Sequence, residues 1–108
     1  MVEQFARDAV DAGIRPVRFT ARSYNGESRY RTNVSGWYLK RDRSIGVGTD
    51  GKFYVLHAPG GLASLLRGVS LSPSDPPLEL GKGARDGESM PMADALAKRL
   101  AGGNDWGA

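Results

Sequence analysis

Eight cationic side chains fall between residues 15 and 43: Arg15, Arg18, Arg22, Arg29, Arg31, Lys40, Arg41 and Arg43. Only two acids, Glu27 and Asp42, lie among them, so this stretch carries a local charge of +6 and the rest of the chain −3. Tyr24, Tyr30, Trp37 and Tyr38 are interleaved with the cations. Guanidinium and ammonium groups neutralise phosphates, and exposed rings stack on bases, which is how single-stranded nucleic acid is held without sequence preference. The candidate contact residues for an anionic partner of this kind are Arg29, Tyr30, Arg31, Trp37, Lys40, Arg41 and Arg43. The competing reading is an ordinary solvated charged face. Arginine outnumbers lysine 11 to 4, a bias that a GC-rich genome also produces. No RNP-type aromatic core and no helix-turn-helix signature accompanies the cluster.

A second place for anion chemistry is the glycine-rich stretch 81–89, which runs toward the start of a C-terminal helix. Free backbone N–H groups and the positive end of a helix dipole favour an anion at such a junction. Lys82 and Arg85 add charge, Gly83 lets a phosphate approach the backbone, and Ser89 suits the helix cap. The spacing matches neither a P-loop nor a dinucleotide fingerprint, and Asp86 and Glu88 repel an anion. An ordered loop with Arg85 paired to one of those acids is the plainer alternative.

Catalytic and metal chemistry find little here. His57 is the one histidine and there is no cysteine, so thiolate metal sites and disulfides are excluded. No Gly-x-Ser-x-Gly elbow and no His-Glu-x-x-His or calcium-loop spacing occurs. The reading is therefore a binding protein rather than an enzyme, with no catalytic residue, no metal ligand and no cofactor expected. The expected partner is nucleic acid or an acidic protein. The alternative is a protein-interaction module or homo-oligomer using a free strand edge in segment 69–80.

A chain of 108 residues is one domain by size, expected to span 1–108 with a frayed tail at 104–108 unless Trp106 docks back. No apolar leader region opens the chain and no run of about 18 apolar residues exists, so a cytoplasmic protein without membrane association is expected.

These residues need elements to hold them. Val2, Phe5, Ala6, Ala9 and Val10 recur at helical spacing over 2–12, with Gly13 and Ile14 suited to a helix end and Pro16 starting an extended segment. Val17 and Phe19 alternate with polar residues as a strand does. Asn25-Gly26 signals a turn, after which residues 29–32 read either as strand or as mobile loop. Asp50-Gly51 reads as a two-residue hairpin turn. It pairs Val47 with Tyr54 and Ile45 with Leu56, and sets Ile45, Val47, Tyr54 and Leu56 on one buried face with Phe5, Val10, Leu96 and Leu100. A similar turn at Arg41-Asp42 adds Tyr38 to that face and leaves Trp37 and Leu39 on the other, where Gly46 and Gly48 let rings lie across bare backbone. A short helix is expected over 62–67, a strand from Val69 to Leu71, an edge strand over 78–80, and a helix capped by Ser89. The apolar face of that last helix is expected to carry Met92, Ala93, Leu96, Ala97 and Leu100. The whole reads as α+β: an antiparallel meander of three to five strands with the N- and C-terminal helices packed on one face.

Overall fold

The computed structural model describes residues 1–58, 66–80 and 90–106. Helix α1 spans Val2–Asp11 and buries Val2, Phe5, Ala6 and Ala9. Gly13 donates its N–H to the Val10 carbonyl and Ile14 to that of Ala9, both at 3.0 Å, the pair of hydrogen bonds that closes a helix C-terminus. Val10 is 64% exposed, against expectation, because it lies about 100° of helical turn beyond Ala9.

Five strands follow: β1 (Val17–Ser23), β2 (Arg29–Tyr38), β3 (Ile45–Gly48), β4 (Phe53–Val55) and β5 (His57–Ala58). Residues 29–38 are thus strand, the first of the two readings the sequence left open. The sheet order is β4-β3-β2-β1-β5, antiparallel throughout except for the parallel β1–β5 pair. Because β4 and β5 adjoin in the chain, the sheet curls until its two edges share one segment. Leu56 is the pivot: its N–H donates to the Ser44 carbonyl and its own carbonyl accepts from Arg22 N–H, each at 2.9 Å. An irregularity in the β1–β2 ladder between Arg18 and Thr20 supplies the bend, since a bulge sharpens strand twist. The Thr32 hydroxyl satisfies the Phe19 carbonyl there at 2.8 Å.

The curl gives the sheet an apolar cluster on each side. On the outer face Trp37, Leu39, Val47 and Phe53 pack under α1 and the C-terminal helix. On the inner face Phe19, Val34, Tyr54 and Leu56 pack together, with Tyr38 against them. The molecule is an α+β fold with its two helices over one side of a mostly antiparallel sheet.

The hairpin register differs by one residue from the expected one. Gly48 N–H bonds the Lys52 carbonyl and Gly51 N–H the Gly48 carbonyl, both at 2.9 Å, so three residues, 49–51, make the turn. Gly51 takes the left-handed position, φ 77°, in the three-residue loop that competes with the two-residue type. Val47 therefore pairs with Phe53, Gly46 with Tyr54 and Ile45 with Val55. The earlier turn is also one residue longer than expected, and Tyr38 pairs with Gly46. Ile45, Val47, Trp37 and Leu39 consequently share the helix-covered face. Tyr54, Leu56 and Tyr38 point to the inner cluster instead, where they are shielded rather than solvated. The expectation of rings over bare backbone holds with different partners. A Cβ on Gly46 would sit 2.6 Å from the Phe19 ring, and one on Gly48 2.9 Å from that of Tyr54.

Beyond β5 the expected helix at 62–67 lies largely outside the described residues. The expected strand from Val69 is reduced to single bridges that run along the sheet. Val69 N–H donates to the Arg31 carbonyl (2.7 Å), Leu71 N–H to Asn33 Oδ1 (2.9 Å) and Ser74 N–H to the Phe53 carbonyl (2.8 Å). Strands β6 (Glu79–Leu80) and β7 (Met90–Pro91) form a small ladder leading into α2 (Met92–Gly102). The helix thus starts after a strand, with Pro91 at its cap, rather than at Ser89. Its buried positions are Met92, Ala95, Leu96 and Arg99, while Ala93 and Ala97 face outward. Residues 104–106 dock rather than fray. Asn104 accepts from Arg15 N–H (2.8 Å) and donates to the Gly13 carbonyl (3.1 Å), and Trp106 lies on Arg99. Among the described residues, no helix is long and apolar enough to cross a membrane.

Candidate functional site

Strand alternation sorts the cations of the first hairpin. Phe19, Ala21, Ser23, Tyr30 and Thr32 are buried, so Arg18, Arg22, Arg29 and Arg31 project from the opposite face. Arg22 lies directly across from Arg29, and Arg31 across from Thr20. Directly opposed side chains on one face are neighbours, and like charges there repel. Arg22 is also a bridge: its Nη2 donates to the Asp42 carbonyl at 3.2 Å, joining the hairpin to the 40–43 turn. Tyr24, 75% exposed, sits just beyond Arg22 with its ring stacked on His57, centroids 6.5 Å apart and planes 19° from parallel.

The 40–43 turn is closed by Arg43 N–H to the Lys40 carbonyl, 3.0 Å. Arg43 holds φ at 61°, the one positive φ outside glycine among the described residues. Its guanidinium lies 5.6 Å from the centre of the Tyr38 ring. Asp42, the acid within this turn, is turned inward on its own backbone. Its Oδ1 accepts the Ser44 amide (3.0 Å) and the Ser44 hydroxyl (2.6 Å). Burial pushes the Asp42 carboxyl up, but those two bonds and the charges of Lys40 and Arg22 outweigh it and hold the group below its ordinary value.

Arg41 and Arg43 also line a cleft of about 250 Å³ between this turn and the end of α2. Arg15, Val17, Tyr38, Arg99, Asn104 and Trp106 complete its walls, and no carboxylate is among the described residues lining it. Arg99 is 8% exposed. Its Nε donates to the Tyr38 carbonyl and its Nη1 to the Gly103 carbonyl, each at 2.9 Å, and its guanidinium lies 4.5 Å from the Trp106 ring centre. Burial pulls this group below its ordinary pKa. The two carbonyls take up two of its five N–H donors and the ring covers its face, without neutralising its charge.

Of the residues singled out from sequence, Arg29, Arg31, Arg41 and Arg43 are exposed and lie on these two connected surfaces. Two are corrected. Trp37 is fully buried, with its Nε1 donating to the Ile14 carbonyl at 2.9 Å and Phe5 edge-on at 5.9 Å. Tyr30 is 3% exposed in the inner layer. Both rings belong to the core, because β2 is covered on each face where they project. Lys40 is half-buried and points into a different groove, shared with Asp75 and Glu79. Lys82, Gly83, Arg85 and Ser89 lie outside the described residues. The junction argued for them is altered all the same, since β7 separates that stretch from α2 and the Met92 amide already bonds the Leu78 carbonyl at 2.7 Å.

Sequence reasoning missed Arg99, Trp106 and Arg15 as cleft residues. The signal for Arg99 was present: residues 92, 95, 96 and 99 follow i, i+3, i+4, i+7, which puts an arginine on the buried stripe. Among the described residues no group of three or more His, Cys, Asp or Glu is placed to hold a metal. No family model, curated protein or solved structure matches this chain.

Proposed function

We propose that this protein is a non-enzymatic binding module for an anionic polymer, single-stranded nucleic acid foremost, engaged across the β1–β2 hairpin and the 40–43 turn. The observation that carries the reading is the cross-strand Arg22–Arg29 pair joined to the Arg41–Arg43 turn through the Arg22–Asp42 bond. Opposed guanidiniums destabilise a bare ladder, and a phosphate between them converts that repulsion into attraction. Exposed Tyr24, backed by His57, supports the reading by offering a platform for a base. Asp42 stays ionised and offsets part of this charge, but it is one acid among Arg22, Arg29, Arg31, Lys40, Arg41 and Arg43.

The test is the affinity for fluorescent single-stranded oligonucleotides as a function of salt. The wild-type protein binds, and binding weakens steeply with salt. Arg41→Ala with Arg43→Ala weakens binding to all sequences alike and reduces the slope of log K against log salt by about 1.4, roughly 0.7 for each phosphate no longer neutralised. An unchanged slope in the double variant removes the turn from the interface.

A further inference from the structure

We propose that the cleft between the 40–43 turn and the end of α2 is a site for a phosphate monoester, either the terminal phosphate of a nucleic-acid strand or that of a free nucleotide. The strand as source rests on the function proposed above; the free nucleotide does not.

Charge comes first. Four arginines, Arg15, Arg41, Arg43 and Arg99, face one space with no carboxylate among the described lining residues. A phosphate monoester carries about −1.5 to −2 at neutral pH, whereas an internal diester carries one negative charge. The monoester therefore compensates the cluster better. Guanidinium forks match its oxygens in pairs.

Preorganisation comes second. Arg99 is held by two carbonyl acceptors and by the Trp106 ring, so little rotamer freedom remains to be lost on binding. A buried cation satisfied only by dipoles gains most from an incoming anion, because the low-dielectric surroundings strengthen the attraction. Arg43 lies against the Tyr38 ring and holds a backbone conformation that disfavours any side chain. Strain of that kind concentrates at ligand sites.

Size comes third. About 250 Å³ falls below the roughly 300–1,000 Å³ that envelop a drug-sized ligand. The cleft has room for a phosphate and part of the group it is attached to, not for a run of polymer. A strand crossing the hairpin would end here rather than pass through.

Two oligonucleotides of one sequence, with terminal phosphates or terminal hydroxyls, are compared for affinity. Nucleoside monophosphate and inorganic phosphate are titrated separately against backbone amide shifts. Binding at least tenfold tighter for the phosphorylated strand is expected. Arg15→Ala should reduce that ratio to near one. Arg15 is exposed and holds Asn104 only through its backbone amide, so the variant folds. Equal affinity of the two strands in the wild-type protein, with the Arg15 and Asn104 amides unmoved by nucleoside monophosphate and by inorganic phosphate, overturns the cleft and leaves the polymer reading standing. Shifts of the Arg15 and Asn104 amides with nucleoside monophosphate, but no strand binding, support the cleft for a free nucleotide and sink the polymer reading. No strand binding and no amide shift overturns both.

Discussion

The two tight turns of the meander share one geometry but put different residues in the left-handed position. In each, the fourth residue donates its N–H back to the first carbonyl: Arg43 to Lys40 at 3.0 Å and Gly51 to Gly48 at 2.9 Å. In each, an aspartate one place earlier accepts the amide two residues on, Ser44 to Asp42 and Lys52 to Asp50, both at 3.0 Å. In each, the residue after the aspartate is left-handed, φ 61° at Arg43 and 77° at Gly51. The second turn uses glycine there, which any consideration of folding alone would favour. The first uses arginine, at a conformational cost of about 1–2 kcal/mol. The Arg43–Tyr38 contact returns about 0.5–1 kcal/mol of that at an exposed site. The Gly51 turn lies over α1 and helps set the core; the Arg43 turn opens on the cleft. Side-chain chemistry at the first turn overrides backbone preference, and strain held in that way points to function.

Arginine in the place of Gly51 costs the most stability. Gly51→Arg places a side chain where φ is 77° and where its Cβ would lie 3.3 Å from the Glu3 Cα. A loss of about 2 kcal/mol in denaturant unfolding is expected, from left-handed strain with crowding against α1 added. A loss below a few tenths of a kcal/mol would mean that the turn does not constrain α1.

The two aspartates differ in what else they hold. Asp50 Oδ2 accepts the Tyr54 hydroxyl at 2.6 Å, whereas Asp42 reaches only Ser44. Burial, then the bond and charge of Asp50, push the Tyr54 phenol up from 10.0 to about 12. The native state therefore retains that proton longer than the unfolded chain does. Its contribution to stability is intact below pH 10 and is lost as pH rises from about 10 through 12. Tyr54→Phe should flatten the stability curve in that window. Asp42→Asn should leave it unchanged, and an equal response would erase the distinction between the turns.

Much of this was legible in the chain. The α1 stripe, its end at Gly13 and Ile14, the meander and the α+β class follow from periodicity and turn chemistry. The register did not, because Asp50-Gly51 serves a two-residue turn and also the last two places of a three-residue one. Tertiary packing decided between them: the longer turn lets Phe53 join Val47 and Trp37 beneath the helices. That choice moved Tyr54 and Leu56 to the other side of the sheet. Periodicity alone implied one buried face, and the closure through Leu56 creates two. Tyr30 and Trp37 were misjudged for that reason. Arg99 was missed although its place at i+7 from Met92 put it on the buried stripe of α2. The Arg-rich stretch itself was plain, and only the β1–β2 register and the Arg22–Asp42 bond connect its two halves.

The smallest expected change in stability carries the most direct test. Arg43→Gly relieves left-handed strain but gives up the cation–ring pairing with Tyr38 and adds freedom to the unfolded chain. Its unfolding free energy should stay within about 1 kcal/mol of the wild type. Its binding should not. The decisive measurement is single-stranded oligonucleotide affinity of wild type and Arg43→Gly across a salt series, with folding of both monitored alongside. Salt-sensitive binding by the wild type is expected, and weaker binding by the equally folded variant with a slope smaller by about 0.7. No binding by the wild type at low salt, or identical binding by the two, would contradict the claim that Arg43 holds its strained place for an anion.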